Sequence, residues 1–430
     1  MKLTKYKLGD VAKVEISGVD KKTKDGEVPV KLCNFTDVYY NWSITKDMED
    51  SFMVASANAN EINRFSLKKG QVAFTKDSET RDDIGIPAYI ADDFDNVILG
   101  YHCALITPDE SKVLGAYINV FMHTSLIQKY FANNASGSGQ RYSLSVETME
   151  RMPLFLPSLE EQKRIADLFT NLNRKIALNR QINTNLEALA RQLYDYWFVL
   201  FDFPDANGKP YKSSGGKMTY NEKLNRHIPD GWEVCKLEDF VLANNTGDWG
   251  ADTVAEDLFE VGCIRGADIL SLTDLPKRYI KSEAKLLAAH DIVIEASGGS
   301  PTQATGRSAY ITKGVIERNG GKITCSNFCH AFTLKDVHKA PFFYYTWRLF
   351  YDNGNMFNFE GKTSGIKNFM TEMFLKNYWI DAPQNLVNDF FNKVSAWFAL
   401  IDTNIAEISS LTRQRDELLP LLMNGQVTVE

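Results

Sequence analysis

The 430-residue sequence has no long apolar run, and this absence limits the kind of protein it can encode. No stretch approaches the roughly 18 consecutive apolar residues that a membrane-spanning helix requires. The opening segment, MKLTKYKLGDVAKVEISG, lacks the apolar core and small-residue cleavage site of a secretory signal. We therefore expect a cytoplasmic protein with no membrane partner.

Cysteine is sparse as well, with six residues and no C-x-x-C pair. In a reducing compartment such cysteines are expected to be free thiols. Cys325, Cys329 and His330 are close in sequence, but a fourth ligand at zinc-like spacing is missing, and two of them fall inside the strand-like run NFCHAFTL. We predict structural roles for all three and no metal site.

The common catalytic motifs are also missing. The sequence contains no G-x-x-x-x-G-K-[ST], G-x-G-x-x-G, H-E-x-x-H or G-x-S-x-G, and no Pro-Pro of the kind found in adenine methyltransferases. Two E-x-K triplets, Glu110–Lys112 and Glu283–Lys285, resemble metal-binding strands of some nucleases, but a triplet is expected by chance in a chain of this size. We predict a chain without catalytic residues and without a cofactor of its own.

The bulk composition is that of an ordinary globular protein, with 44% hydrophobic and 24% charged residues. Its length exceeds what one hydrophobic core usually organises, so at least two domains are expected. The net charge of −7 argues mildly against a nucleic-acid partner. It does not exclude one, because local basic loops determine phosphate contact.

An internal repeat covers the chain, at offsets of about 220–231 residues. The matching stretches include YKLGDV (6–11) with CKLEDF (235–240), LKKGQVAF (67–74) with LAAHDIVI (287–294), GIPAYI (85–90) with GRSAYI (306–311), YHCALITPD (101–109) with FCHAFTLKD (328–336), and SGQRYSL (138–144) with SGIKNFM (364–370). Their unbroken order predicts two copies of one unit, each a mixed α+β globular half followed by a long helix.

Both predicted helices carry apolar residues that step by three or four, which is typical of a coiled-coil seam. Ser158 and Glu161 form a capping box at the start of the first helix, and Gly425 ends the second. We predict that the two helices pair antiparallel; two unrelated surface helices are the alternative. The predicted seam residues, matched at an offset of 229, are Ile165, Leu168, Leu172, Ile176, Ile182, Leu189 and Leu193 in the first helix and Val394, Trp397, Ile401, Ile405, Leu411, Leu418 and Leu422 in the second.

The predicted fold class is therefore α+β, with two similar globular domains and two long antiparallel helices. The predicted boundaries are 1–156 for the first globular domain, 157–226 for the first helix and a Gly/Pro/Ser-rich linker, 227–382 for the second globular domain, and 383–430 for the closing helix.

Loops in both globular halves carry Arg, Lys, Gln and Asn, which can pair with guanine or adenine edges in the major groove. Gly and Ser in the same loops allow the backbone to approach phosphate. Ordinary solvated surface loops are the alternative interpretation. The candidate DNA-binding residues are Lys21, Lys22, Lys24, Lys76, Arg81, Gln140, Arg141, Gln303, Arg307, Lys362, Lys367 and Asn368.

The chain resembles the specificity subunits of type I restriction–modification enzymes over essentially its full length. The stretches that carry this resemblance are LPSLEEQKRIADLFTNLNRKIALNRQINTNLEALARQLYDYWFVLFDFP (156–204), NGKPYKSSGGKM, IPDGWEV and the closing RDELLPLLMNGQVTV (415–429). No base-contacting residue can be transferred from the family, because the recognition domains vary between members.

The resemblance implies two target-recognition domains, each reading one half of a split double-stranded DNA target, with the helices setting an unread gap. It further implies partners: two methyltransferase subunits that methylate adenine N6 with S-adenosylmethionine, and restriction subunits that use ATP and Mg²⁺. The competing hypotheses are a coiled-coil scaffold that joins two protein-binding modules without touching DNA, and a single-chain nuclease that uses an E-x-K triplet.

Overall fold

The computed structural model describes residues 2–139, 141–298, 302–363 and 366–429. The chain divides into two compact units. The first unit contains the chain up to Leu178 together with the segment from Ile408 onward, and the second unit contains Asn179–Glu407.

The first unit is a mixed α+β domain. Its strands are β1 (Thr4–Lys7), β2 (Ala12–Ile16), β3 (Val28–Cys33), β4 (Ser43–Ile44), β5 (Met53–Ala57), β6 (Val72–Thr75), β7 (Asp77–Ser78), β8 (Pro87–Ile90), β9 (Val97–Leu99), β10 (Cys103–Pro108), β11 (Ser136–Ser138), β12 (Arg141–Ser143) and β13 (Pro153–Leu156). Its helices are α1 (Phe35–Tyr39), α2 (Ala59–Phe65), α3 (Gly115–Met122), α4 (Ser125–Asn134), α5 (Val146–Glu150) and the start of α6 (Leu159–Tyr194).

The second unit has the same class of architecture. Its strands are β14 (Met218–Asn221), β15 (Arg226–Pro229), β16 (Glu233–Lys236), β17 (Val241–Thr246), β18 (Phe259–Ile264), β19 (Lys277–Ile280), β20 (Ile292–Glu295), β21 (Ser297–Gly298), β22 (Ser308–Tyr310), β23 (Ile323–Cys325), β24 (Cys329–Leu334), β25 (Glu360–Thr363), β26 (Ile366–Phe369) and β27 (Tyr378–Asp381). Its helices are α7 (Lys313–Arg318), α8 (Ala340–Asp352), α9 (Thr371–Phe374) and most of α10 (Gln384–Met423).

Sheet topology confirms the internal repeat. The central sheet has the order β2-β10-β6-β8-β4 in the first unit and β17-β24-β20-β22 in the second. Each unit has a second, three-stranded sheet, whose middle strand pairs antiparallel with one neighbour and parallel with the other. This sheet is β5-β3-β9 in the first unit and β19-β18-β23 in the second. A small third sheet, β11-β12-β7 or β25-β26-β21, and a two-stranded pair, β1-β13 or β16-β27, complete each domain.

The strand registers correct two of the sequence matches by one residue. Val72 of β6 faces Ile106 of β10, and the equivalent Ile292 of β20 faces Phe332 of β24. Cys103 is therefore equivalent to Cys329, whereas aligning the stretches YHCALITPD and FCHAFTLKD by sequence pairs it with His330. By the same reasoning Ser143, which faces Asp77, is equivalent to Asn368, which faces Ser297. A slip of one residue in a strand exchanges its two faces, so this correction decides which side chains are comparable.

Hydrophobic cores form on both faces of the central sheets. In the first unit one core places β6 and β10 against α3, α4 and the start of α6, and includes Phe74, Tyr117 and Phe169. A second core fills the space between the central sheet and β3, with Leu32, Phe94 and Leu105. The second unit repeats this arrangement with α8 and the end of α6.

The first long helix begins, and the second ends, at the signals that the sequence predicts. The Ser158 backbone N–H donates to Glu161 Oε2 at 3.2 Å, and the Glu161 N–H donates to Ser158 Oγ at 3.3 Å, which completes the capping box. Gly425 adopts the left-handed conformation with φ of 71° after the end of α10.

Within each unit the two helices run antiparallel, as predicted. In the first unit the start of α6 packs with the end of α10, and Arg415 donates to Asn173 Oδ1 at 3.2 Å. In the second unit Asn179 donates to Glu407 at 2.8 Å and Asn404 donates to Asn183 at 2.8 Å. Residue numbers on α6 rise as those on α10 fall, which is the signature of an antiparallel pair.

The middle of the seam is polar, and the prediction is wrong for two of its residues. Ile182 and Leu189 are 42% and 47% exposed, whereas Asn179 is 6% exposed. At about 100° per residue, Asn179 lies about 60° around α6 from the buried Ile176, whereas Ile182 lies about 120° from it. The other predicted seam residues are buried or half-buried.

The predicted linker is packed rather than loose. Phe201 is buried within the core of the second unit. Phe203 stacks between Tyr211 and Trp232, with ring centroids 4.7 Å and 5.1 Å away. Its aromatic residues therefore bind the Gly- and Pro-rich segment to the second domain.

Candidate nucleic-acid interface

The polar loops of each domain meet at one end of its central sheet, where β6 and β10, or β20 and β24, join the small third sheet. In the first unit the Lys76 N–H donates to the His102 carbonyl at 2.9 Å, and the Leu144 N–H donates to the Lys76 carbonyl at 2.8 Å. These backbone bonds place the side chains of Lys76, His102 and Arg141 around one point. The predicted residues Lys76 and Arg141, 65 positions apart in the sequence, are therefore brought together.

Asp77 is the centre of this cluster. It is 5% exposed, and its Oδ2 accepts from Lys76 Nζ at 2.6 Å, contacts His102 Nδ1 at 2.6 Å and accepts from Arg141 Nη2 at 2.8 Å. Burial alone would raise the pKa of this carboxyl, but the hydrogen bonds from Lys76, Ser143, His102 and Arg141 hold its pKa well below the usual range. Asp77 therefore stays ionised and fixes the cations, while Arg141 keeps 57% of its side chain exposed.

Two more of the predicted cations lie near the cluster, each against an aromatic ring. Lys21 Nζ lies 5.6 Å from the centroid of Tyr101, and the Arg81 guanidinium lies 5.0 Å from that of Tyr142. The side chains of Lys22 and Lys24 are exposed in the preceding loop, and Gln140 lies outside the described residues. The first unit therefore presents a cationic surface at this end of its sheet.

The predicted residues of the second unit have intramolecular partners at the same end of the sheet. Arg307 forms a two-pronged ion pair with Glu295, at 2.8 Å for both contacts, and also donates to the Gly266 carbonyl. Lys367 pairs with Glu360 at 2.9 Å, and Glu360 is only 8% exposed at its side chain. Because carboxylates neutralise both cations, these two residues organise the loops, and their predicted contact with DNA remains a prediction.

The remaining predicted residues of the second unit lie in the same loops. Asn368 Oδ1 accepts from Ser297 Oγ at 2.6 Å, and the Gln303 carbonyl accepts from Lys367 Nζ at 3.4 Å. The backbone of Lys362 belongs to β25, next to Lys367 across the strand pair.

Sequence reasoning missed the residues that hold these clusters together, namely Asp77, His102, Glu295 and Glu360. Three of them are carboxylates that pair with a predicted cation. A donor that can face a base is recognisable from its residue type, whereas an acid that pairs with it from another strand is not. The adjacency of Lys76 and Asp77 was the one local signal available for this pairing.

The structure gives no support to the catalytic alternatives. Glu110 and Lys112 lie in a turn after β10, and Glu283–Lys285 forms a 3₁₀ turn, so neither triplet has the strand geometry of a nuclease site. Across the ranges 2–139, 141–298, 302–363 and 366–429, no group of three or more His, Cys, Asp or Glu side chains is placed to hold a metal ion. No helix in that part of the chain is both long and apolar enough to cross a bilayer.

Comparison with known proteins gives a consistent assignment. Residues 2–188 match the family model of the type I restriction modification DNA specificity domain. The chain is 24% identical to the specificity subunit of the type I restriction enzyme MjaIX of Methanocaldococcus jannaschii, and the match covers 99% of this chain and 97% of that protein. It is 23% identical to the specificity subunit of the type I restriction enzyme HindI of Haemophilus influenzae, with coverage of 84% and 87%.

Among solved structures, the S subunit of a type I restriction–modification system from M. genitalium superposes with a TM-score of 0.59 at 14% identity, over 98% of this chain and 96% of that one. The repeated α+β domain with polar loops at one end of its sheet thus defines a duplicated recognition protein. The chain is thus similar over almost its full length to the specificity subunits of type I restriction–modification enzymes, and its first 188 residues carry the match to their DNA specificity domain.

Proposed function

We propose that this specificity subunit reads a bipartite double-stranded DNA target, with one half-site bound by each globular domain. The observation that carries the proposal is the repetition of one loop cluster at the same end of two domains of matched topology. A single domain making a few base contacts would bind weakly. Two tethered readers bind more tightly through effective concentration, but only where the half-sites are correctly spaced.

The helix pair is the part of the chain suited to setting that spacing. The helices α6 and α10 contain 36 and 40 residues, or about 54 and 60 Å at a rise of 1.5 Å per residue. Each helix contributes residues to both units. Half-sites about one helical turn apart, roughly 34–36 Å, face the same side of the duplex, and helices of this length are sufficient to span them.

The family resemblance supplies the partners. Two methyltransferase subunits using S-adenosylmethionine would methylate adenine N6 at the target, and restriction subunits using ATP and Mg²⁺ would cleave unmodified DNA. The specificity subunit would itself carry no catalytic residue and no cofactor. Its exposed helix residues Ile182, Leu189 and Leu178 offer apolar contacts to such partners.

A gel-shift titration of the chain with its methyltransferase partner tests DNA reading. Arg141→Ala should weaken binding about 5- to 150-fold, corresponding to roughly 1–3 kcal/mol for a base-contacting arginine. Arg151→Ala is the matched control, because Arg151 is also an exposed arginine paired with a carboxylate, that of Glu147 at 2.6 Å, and its neighbour Glu150 lies near Pro108 at the opposite end of β10. Affinity should fall steeply with salt. Absence of binding to any split duplex would support the protein-scaffold alternative.

The spacer proposal has its own test. Seven residues added at matched points in α6 and α10 should keep the seam in register and lengthen it by about 10 Å. The half-sites should be unchanged and the unread gap should grow by about three base pairs, at 3.4 Å per pair. Sequencing of methylated adenines in cells would measure both. A fixed gap, or altered half-sites, would refute the spacer role.

A further inference from the structure

The strand registers align the two loop clusters residue by residue, and the aligned side chains differ in chemistry. The Lys76 N–H bond to the His102 carbonyl, at 2.9 Å, has its counterpart in the Ala296 N–H bond to the Phe328 carbonyl, at 2.8 Å. The β7–β12 pairing likewise corresponds to β21–β26. Phe328 therefore occupies the place of His102.

The same registers extend the comparison to the rest of the cluster. Asp77 faces Ser143 in the first unit, and Ser297 faces Asn368 in the second. Counting two residues back along β12 and β26 makes Ile366 the counterpart of Arg141. The charged set Asp77, His102 and Arg141 is thus replaced by Ser297, Phe328 and Ile366.

Both replacement side chains are presented to solvent. Phe328 is 50% exposed and Ile366 is 48% exposed. Phe328 is also held firmly, because its carbonyl accepts from the N–H groups of Ala296 and Ser297 at 2.8 Å and 3.0 Å. Neighbouring cations are neutralised, since Arg307 is paired with Glu295 and Lys367 with Glu360. The second unit therefore offers an apolar surface where the first unit offers a guanidinium.

These two surfaces fit different base pairs. A guanidinium donates to O6 and N7 of guanine in the major groove, whereas an apolar side chain contacts the 5-methyl group of thymine. Resting on the proposed function, we propose that Arg141 reads a G·C pair in the half-site of the first unit and that Phe328 and Ile366 read the thymine methyl of an A·T pair in the half-site of the second. The two copies of one domain thereby acquire different sequence preferences at the same structural position.

Modified bases test this assignment in the full chain bound to its methyltransferase partner, once its half-sites are known. Replacing the contacted thymine with deoxyuridine removes only the methyl group and should weaken wild-type binding about fourfold, the value of one buried methyl-sized group. The double variant Phe328→Ala/Ile366→Ala should bind both duplexes equally. Leu242→Ala is the matched control, because Leu242 is 66% exposed and lies beside β24 near Leu334, at the end remote from Cys329. This variant should retain the uracil effect.

The first half-site is tested in the same way. Replacing a guanine with 7-deazaguanine removes the N7 acceptor and should weaken wild-type binding at least several-fold, and Arg141→Ala should abolish that difference. Far-ultraviolet circular dichroism of each variant would verify folding.

If the wild type binds the split duplex but tolerates uracil at every thymine, or if the double variant keeps its uracil sensitivity, the apolar assignment is wrong. Persistence of the 7-deazaguanine effect in Arg141→Ala refutes the assignment of Arg141. Failure of the wild type to bind any split duplex would instead refute the proposed function itself.

Discussion

The ion pair between Glu295 and Arg307 allows a direct test of whether a predicted DNA-contacting arginine has a structural role. The side chain of Arg307 is only 16% exposed, and that of Glu295 is only 4% exposed. Two parallel N–H···O contacts at 2.8 Å join them, and a third bond ties Arg307 to Gly266. Substitution of Arg307 by Met preserves most of the side-chain volume and leaves the Glu295 carboxylate buried without its cation.

The expected magnitude follows from the burial of that carboxylate. Removing one partner of a buried ion pair costs about 3–5 kcal/mol, because the remaining charge is unpaired in a poorly solvated site. For a unit of this size each kcal/mol lowers the melting temperature by about 2–4 °C, so the second unit of Arg307→Met should melt about 6–20 °C lower. The double variant Glu295→Met/Arg307→Met should recover most of this loss, since replacing a whole buried pair by apolar residues is close to neutral.

Thermal and urea unfolding of the single and double variants would measure these differences in stability. Gel-shift titration of the same samples would measure DNA affinity. Lys281→Met is the control, because Lys281 pairs with Asp257 on the surface and its loss should leave the unfolding midpoint unchanged. If Arg307→Met keeps full stability and loses DNA affinity, Arg307 contacts the target and the structural interpretation of the pair is wrong.

Two further perturbations follow from the first unit. Burial against Trp42 lowers the pKa of His123 to about 3. Between pH 6.5 and 3 the unfolded chain therefore binds the extra proton, and stability should fall by up to about 1.4 kcal/mol per pH unit as pH decreases. The urea midpoint of the wild type should fall between pH 7 and pH 5, and that of His123→Leu should not show this loss. An equal change of midpoint in both proteins would refute the role of His123. Gly115→Ala should destabilise the first unit by about 1–3 kcal/mol, because a Cβ there would lie 1.8 Å from the Gly70 carbonyl oxygen. Gly18→Ala, with no atom within 4 Å, is its control, and similar melting temperatures for both variants would contradict the steric argument.

Local signals in the sequence were sufficient for much of the fold. The capping box at Ser158 and Glu161 and the stop at Gly425 locate helix ends because each depends on a few neighbouring residues. The short apolar runs in QVAFT and CHAFTL likewise predict the strands β6 and β24. The order of the repeats was likewise readable, since both copies retain the same elements in the same sequence.

Which side chains meet was decided by the tertiary structure. The spacing of apolar residues predicts Ile182 as a seam residue, but in the folded chain Asn179 faces α10 and donates to Glu407. His102 is equivalent to Phe328, one position away from the Cys329 that the sequence alignment pairs with it, because backbone pairing between distant strands sets the register. The carboxylates Asp77, Glu295 and Glu360 acquire their partners only when strands far apart in the sequence are brought side by side. The sequence by itself thus determined the elements and their duplication, and only the folded chain decided which cations remain exposed at the recognition surface and which are neutralised within the domain.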